Sequence, residues 1–209
     1  MKIAVYSGSF NPMHIGHIAV IRYLLDHGGF DMVYLIVSPQ NPFKDGSIRD
    51  NAQQRYQNAV QAIRRQGLES KVKVDDIEFG RPTPSYTINT LDTLREREPR
   101  NRFTLVIGGD NIGGMLKWKE GERLLCDYGI VVYPRHGYNM VREARILKQK
   151  HKNAEMLLGD AQGHPWGSAE FKHRPYRIKL LKDAPLVTIS STQIRDMISQ
   201  GRDASEYMA

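Results

Sequence analysis

The 209-residue chain predicts an α/β fold: a parallel sheet with helices packed on both of its faces. Three observations carry that expectation. Short apolar, β-branched runs recur along the chain, segments with apolar residues at helical spacing separate them, and Gly or Pro closes most segments. Four of the runs are apolar at nearly every position, as strands covered on both faces must be.

In order, KIAVYS at residues 2–7 reads as the first strand and IGHIAVIRYLLDHG at 15–28 as the first helix. MVYLIVS at 32–38 is the second strand, and DNAQQRYQNAVQAIRRQG at 50–67 is an amphipathic helix stopped by glycine. KVKVDDIEF at 71–79 reads as a strand and YTINTLDTLREREPR at 86–100 as a helix. FTLVIGG at 103–109 and GIVVYP at 129–134 complete the buried runs. The Gly-, Pro- and base-rich tract at 159–183 breaks the rhythm and reads as a long excursion, followed by a last strand APLVTIS at 184–190 and a last helix STQIRDMISQG at 191–201. No composition shift or linker divides the chain, so residues 1–209 are expected to form a single domain.

Thirty Lys and Arg against 23 Asp and Glu give a net charge of +7, which suits an anionic partner. One cysteine, Cys126, cannot form an internal disulfide and reads as a small buried residue. No cleavable signal pattern and no apolar run of membrane-spanning length is present, so a soluble cytoplasmic protein without a membrane partner is expected.

Parallel sheets bind ligands beyond the carboxyl ends of their strands, and GSFNPMHIGH at 8–17 lies at such an end. Gly8 permits a tight turn or a close backbone approach, Pro12 stiffens the turn, and a helix starting near Met13 or His14 offers free N–H groups to a phosphate. His14 and His17 share a face of its first turn and can both donate to one phosphoryl group. Neither GxxxxGK[ST] nor GxGxxG follows the first strand, which argues against P-loop and dehydrogenase chemistry. A zinc site built on HxxH lacks the HExxH glutamate and an evident third ligand, so no protein-held metal is expected. In ISSTQIR at 189–195, Ser190, Ser191 and Thr192 are helix-capping residues able to hold phosphate oxygens, and Arg195 offers a planar fork of donors.

These residues carry a resemblance. GSFNPMHIGH resembles the (T/H)xGH-type signature of the nucleotidylyltransferase superfamily, and its Phe-Asn-Pro-x-His-x-Gly-His form is similar to that of bacterial nicotinate-mononucleotide adenylyltransferases. ISSTQIR, PSYTINTL at 84–91 and GGDNIGGMLKWKEGERLL at 108–125 agree in order and spacing. The resemblance implies a Rossmann-like, doubly wound nucleotidylyltransferase sheet and transfer of the adenylyl group of ATP to nicotinate mononucleotide. It implies His14, His17, Lys44 and Arg195 as catalytic groups, with Gly8, Ser9, Phe10, Asp110, Ser190, Ser191 and Thr192 at ATP. It places the pyridine carboxylate at backbone N–H groups near Thr87 and just after Trp118, at Lys119, with the Trp118 ring stacked on the pyridine. Magnesium is implied as the ion carried with ATP.

The pattern departs from the family at Asn89, where Asp is usual in SYTxDTL, and at Phe43, where His often precedes the lysine matching Lys44. Family members usually continue past the last helix into a further helical segment, whereas here the sequence reads DASEYMA. Nicotinamide mononucleotide and phosphopantetheine are the alternative acceptors within the superfamily. The alternative of another class is a basic protein that holds RNA or a nucleotide without turning it over. The basic residues are scattered and no RNA-binding aromatic motif accompanies them, so no stable nucleic-acid partner is expected; a homo-oligomer is compatible with the sequence.

Overall fold

The computed structural model describes residues 1–39, 52–82, 84–160 and 175–209. Six strands form one all-parallel sheet: β1 (Lys2–Gly8), β2 (Met32–Val37), β3 (Val72–Asp75), β4 (Arg102–Gly108), β5 (Ile130–Tyr133) and β6 (Ile178–Leu180). Their order is β3-β2-β1-β4-β5-β6, so the winding reverses between β1 and β4. That is the doubly wound arrangement, whose ligand crevice opens beyond the carboxyl ends of the strands flanking the reversal.

The pleat sends alternate side chains to opposite faces, and each face has its own core. On one, Ile3, Val5, Ile36, Leu105 and Val132 pack with Ile88, Leu91 and Leu94 of α3 (Thr87–Arg97). On the other, Ala4, Val33, Leu35, Val106 and Val131 meet Ile18, Ile21 and Leu24 of α1 (Ile15–Asp26) and Ala59, Ala62 and Ile63 of α2 (Ala52–Arg65). Each such Val, Leu or Ile side chain contributes about 1.5–3 kcal/mol by leaving water, which makes the covered sheet the rigid base for the loops above it.

After β4 the chain makes a 3₁₀ segment (Ile112–Lys117), the short α4 (Gly121–Arg123) and a π turn (Leu124–Tyr128) before β5. Then come α5 (Met140–Asp160) and, after β6, α6 (Ser191–Ser199). Cys126, in the π turn, is 5% exposed.

Two expectations are corrected. APLVTIS is not a strand: residues 184–190 run as irregular chain, and the sixth strand is Ile178–Leu180, inside the tract read as an excursion. Pro185 brings no N–H to a ladder, and the chain must leave the sheet edge here to deliver Ser190 and Ser191 to the crevice. The strand expected over 71–79 ends at Asp75, and Phe79 N–H closes a turn onto the Asp76 carbonyl at 2.7 Å. Among the described residues no helix is long and apolar enough to cross a membrane.

Candidate active site

A cavity of about 480 Å³ opens at the carboxyl ends of β1 and β4. It falls within the usual range for small-molecule sites. Its wall contains Gly8, Ser9, Phe10, His14, His17 and Asp110, together with Thr87, Trp118, Ser190, Ser191 and Thr192. Four stretches spread from Gly8 to Thr192 therefore meet in one place where the sheet order brings β1 beside β4.

His14 is the N-cap of α1, which begins at Ile15. Its Nδ1 accepts the Gly16 N–H at 3.1 Å, while His17 Nδ1 accepts the His14 N–H at 3.2 Å. The pair is a reciprocal capping box built from two imidazoles, their ring centroids 3.7 Å apart. A nitrogen that accepts a hydrogen bond carries no proton, so each neutral ring holds its proton on Nε2 as a donor. Burial, with the Arg135 charge adding to it, lowers the His14 pKa from 6.5 to about 4. Near neutral pH His14 is therefore an uncharged donor at the cavity wall.

Phe10 turns its ring inward, 3% exposed, edge-on to Tyr6 and to His17 at 5.5 and 5.0 Å between centroids. A Cβ on Gly8 would come within 3.1 Å of that ring, so the glycine makes room for the aromatic that backs His17. The far end of the chain closes on the same turn: Met208 forms an isolated antiparallel bridge with His14, and Ala204 is buried.

α6 enters from the other side. Ser190 caps it in a box with Gln193, and Ser191 Oγ donates to the Pro12 carbonyl at 3.1 Å. Arg195 lies outside the cavity wall; its Nη1 donates to the Asn11 carbonyl at 2.7 Å and its Nη2 to Thr192 Oγ1 at 3.1 Å. It laces the turn after β1 to the start of α6.

Across the cavity, α3 starts at Thr87 with no side-chain cap on its N-cap residue, Tyr86. Uncapped N–H groups and the positive end of the helix dipole favour a carboxylate there. Trp118 is half-buried against the first core, and Lys119 is exposed with its ammonium 4.5 Å from the Tyr86 ring centre. Asp92 of α3 accepts from Arg123 of α4 and from Tyr128, tying the helix that carries Thr87 to the segment that carries Trp118. These bonds hold the Asp92 carboxyl below its usual pKa against the opposing effect of burial.

Lys44 and Phe43 lie outside the described residues, as does the part of the basic tract from 161 to 174. Two charged wall residues escaped sequence reasoning, Glu78 and Arg135. Each follows the carboxyl end of a strand, β3 or β5, which is the signal that could have found them. Arg135 donates to the Tyr133 hydroxyl at 2.8 Å and lies 3.8 Å from Asp110. Burial alone would lower its pKa, but Tyr133, Tyr6 and Asp110 raise it, so the cation stays charged. A Cβ on Gly108 would fall 2.2 Å from Asp110 Oδ1, so only glycine lets Asp110 fold back over the end of β4. Arg135 Nε and Ser85 Oγ, both on wall residues, are buried without a hydrogen-bond partner among the described residues. Such atoms are rare in folded proteins.

Comparison with known proteins agrees with this geometry. The cytidylyltransferase-like family model matches residues 5–197. The "Probable nicotinate-nucleotide adenylyltransferase" of Flavobacterium johnsoniae is 34% identical over 203 residues, 97% of this chain and 89% of that protein. The protein of the same name from Azobacteroides pseudotrichonymphae is also 34% identical, over all of this chain and 92% of its own. In fold, the chain is similar to Plasmodium falciparum nicotinic acid mononucleotide adenylyltransferase, solved with NaAD, at a TM-score of 0.70 and 17% identity, covering 99% of this chain and 90% of that one. With its reversal-point cavity, histidine-capped first helix and full-length likeness to these proteins, the chain belongs to the cytidylyltransferase-like family and, within it, to the nicotinate-nucleotide adenylyltransferases.

Proposed function

We propose that this chain transfers the adenylyl group of ATP to nicotinate mononucleotide, giving nicotinate adenine dinucleotide and pyrophosphate. The observation that carries the reading is a cavity with a paired-histidine helix start on one side and an uncapped helix start beside a tryptophan on the other. The first suits a phosphoryl group under attack; the second suits a flat ring bearing a carboxylate.

The attacking oxygen is a phosphate monoester oxygen, largely ionised near neutral pH, so no general base and no covalent intermediate is required. Catalysis is positioning and charge stabilisation. His14 and His17 direct their Nε2 donors to the α-phosphoryl oxygens, and the first turn of α6 at Ser191 and Thr192 receives the pyrophosphate end. Asp110 accepts from ribose hydroxyls. The backbone at Thr87 and Lys119 receives the pyridine carboxylate and Trp118 stacks on the ring. Lys44 joins the phosphate side by resemblance to the family. Arg195 acts from behind, through Asn11 and Thr192.

Magnesium would reach the site with ATP. Among the described residues no group of three or more His, Cys, Asp or Glu is placed to hold a metal, and the hydroxyls of Ser190, Ser191 and Thr192 suit an ion that keeps much of its water and is held by phosphates. When bound it supplies neutralisation of phosphate charge.

The test is to incubate the protein with ATP, magnesium and nicotinate mononucleotide and follow products by mass. Dinucleotide and pyrophosphate in equal amounts support the proposal. ATP binding without either product would replace it with the non-catalytic reading.

A further inference from the structure

A buried polar chain that the transfer chemistry does not itself use runs along the cavity, with Ser38 and Glu78 on its wall and Arg55 and Thr90 behind it. Arg55, on the first turn of α2, is 5% exposed. Its Nη1 donates to the Ser9 carbonyl at 2.6 Å and to the Ser38 carbonyl at 2.8 Å, and its Nη2 to the Pro39 carbonyl at 3.0 Å. Ser9 belongs to the turn that presents the histidines; Ser38 and Pro39 follow β2. From Ser38 the chain runs on: its Oγ donates to Glu78 Oε2 at 2.7 Å, and Thr90 Oγ1 donates to Glu78 Oε1 at 2.8 Å. Glu78 and Thr90 are 3% and 2% exposed. Thr90 sits on α3, one turn beyond Thr87.

We propose that Arg55 and Thr90, joined through Ser38 and Glu78, are positioning residues that form one strut setting the distance between the histidine turn and the acceptor helix α3. Neither residue lines the cavity, so neither touches substrate. The inference rests on the adenylyltransferase reading and deepens it. In-line transfer between two bound substrates depends on their relative placement, and an error near 1 Å costs about a hundredfold in rate. A guanidinium suits the position because its rigid fork meets three carbonyls in different directions, which a lysine ammonium does not reproduce. Buried bonds of this kind are strengthened by the low local dielectric and couple to one another.

The experiment compares wild type, Arg55→Lys, Thr90→Val and the double variant in steady-state pyrophosphate release and in amide hydrogen exchange. Each single change should lower kcat per folded molecule by about tenfold or more while KM for ATP and acceptor stays within about threefold. The double variant should lose little more than the worse single, since either change cuts the same strut. Exchange should quicken at the far end: near Thr87 and Ile88 in Arg55→Lys, and near Ser9 and Phe10 in Thr90→Val. Wild-type kcat in the singles, losses that multiply in the double, or exchange changes confined to the altered element would overturn the strut. A merely structural role would lower the melting temperature while leaving kcat per folded molecule and far-end exchange unchanged. If the wild type releases no pyrophosphate, the functional reading fails separately and the exchange arm still decides the strut. If Arg55→Lys does not fold, Thr90→Val decides it alone.

Discussion

Lowering the pH from about 7 to about 4.5 should destabilise this protein through one identifiable group, His14. His14, which caps α1 through Nδ1, is 3% exposed, and its burial together with the Arg135 cation lowers its pKa from 6.5 to about 4. The unfolded chain binds a proton at this histidine as pH drops through 6.5, whereas the folded chain does not until about 4. Stability linked to His14 is thus present above pH 6.5 and lost as pH falls toward 4. Between pH 7 and pH 4.5 the two titrations differ by about 2 kcal/mol. The control is His14→Asn, which keeps a side-chain acceptor for the Gly16 N–H and removes the titration. Urea unfolding of both proteins at the two pH values isolates the effect, because every other carboxylate and histidine is common to them. The variant should gain about 2 kcal/mol on the wild type on going to the lower pH. A stability difference that stays constant with pH would refute the reasoning.

Three further outcomes are expected. His17→Ala should lower kcat by about a hundredfold to a thousandfold with little change in KM for ATP, because a donor aimed at developing charge is lost; steady-state kinetics decides it. Trp118→Leu should raise KM for the pyridine nucleotide and leave KM for ATP unchanged, measured by varying each substrate in turn. Gly16→Ala would place a methyl 2.3 Å from Val187 Cγ1 and 3.0 Å from His14 Nδ1; it should cost about 1–3 kcal/mol in thermal unfolding and lower kcat by displacing the cap.

The positions that could be read from the sequence are those whose signal is local. The runs at β1, β2, β4 and β5 are apolar on both faces because helices cover both, and that shows in the residues themselves. GSFNPMHIGH and ISSTQIR announce helix starts, and the structure puts both at the cavity. β6 escaped because three residues inside a basic tract carry too little periodicity, and α5 because its buried positions, Met140, Ala144 and Leu147, stand among charged ones. Nothing local marks Arg55 out in its amphipathic helix. Its burial comes from carbonyls 16 to 46 residues away, which only the tertiary fold brings to it. Arg195 is the converse: the motif that marks it is local, but its place behind the cavity wall follows from the approach of Asn11 across 184 residues.

The account stands most directly on acceptor choice. Pyrophosphate release from ATP and magnesium should be measured side by side with nicotinate mononucleotide, nicotinamide mononucleotide and phosphopantetheine. The cavity wall at Thr87 and Trp118 predicts the highest kcat/KM for the nicotinate compound, since an uncapped helix start favours a carboxylate over an amide. Equal or greater turnover of either of the other two would contradict the assignment of that part of the cavity.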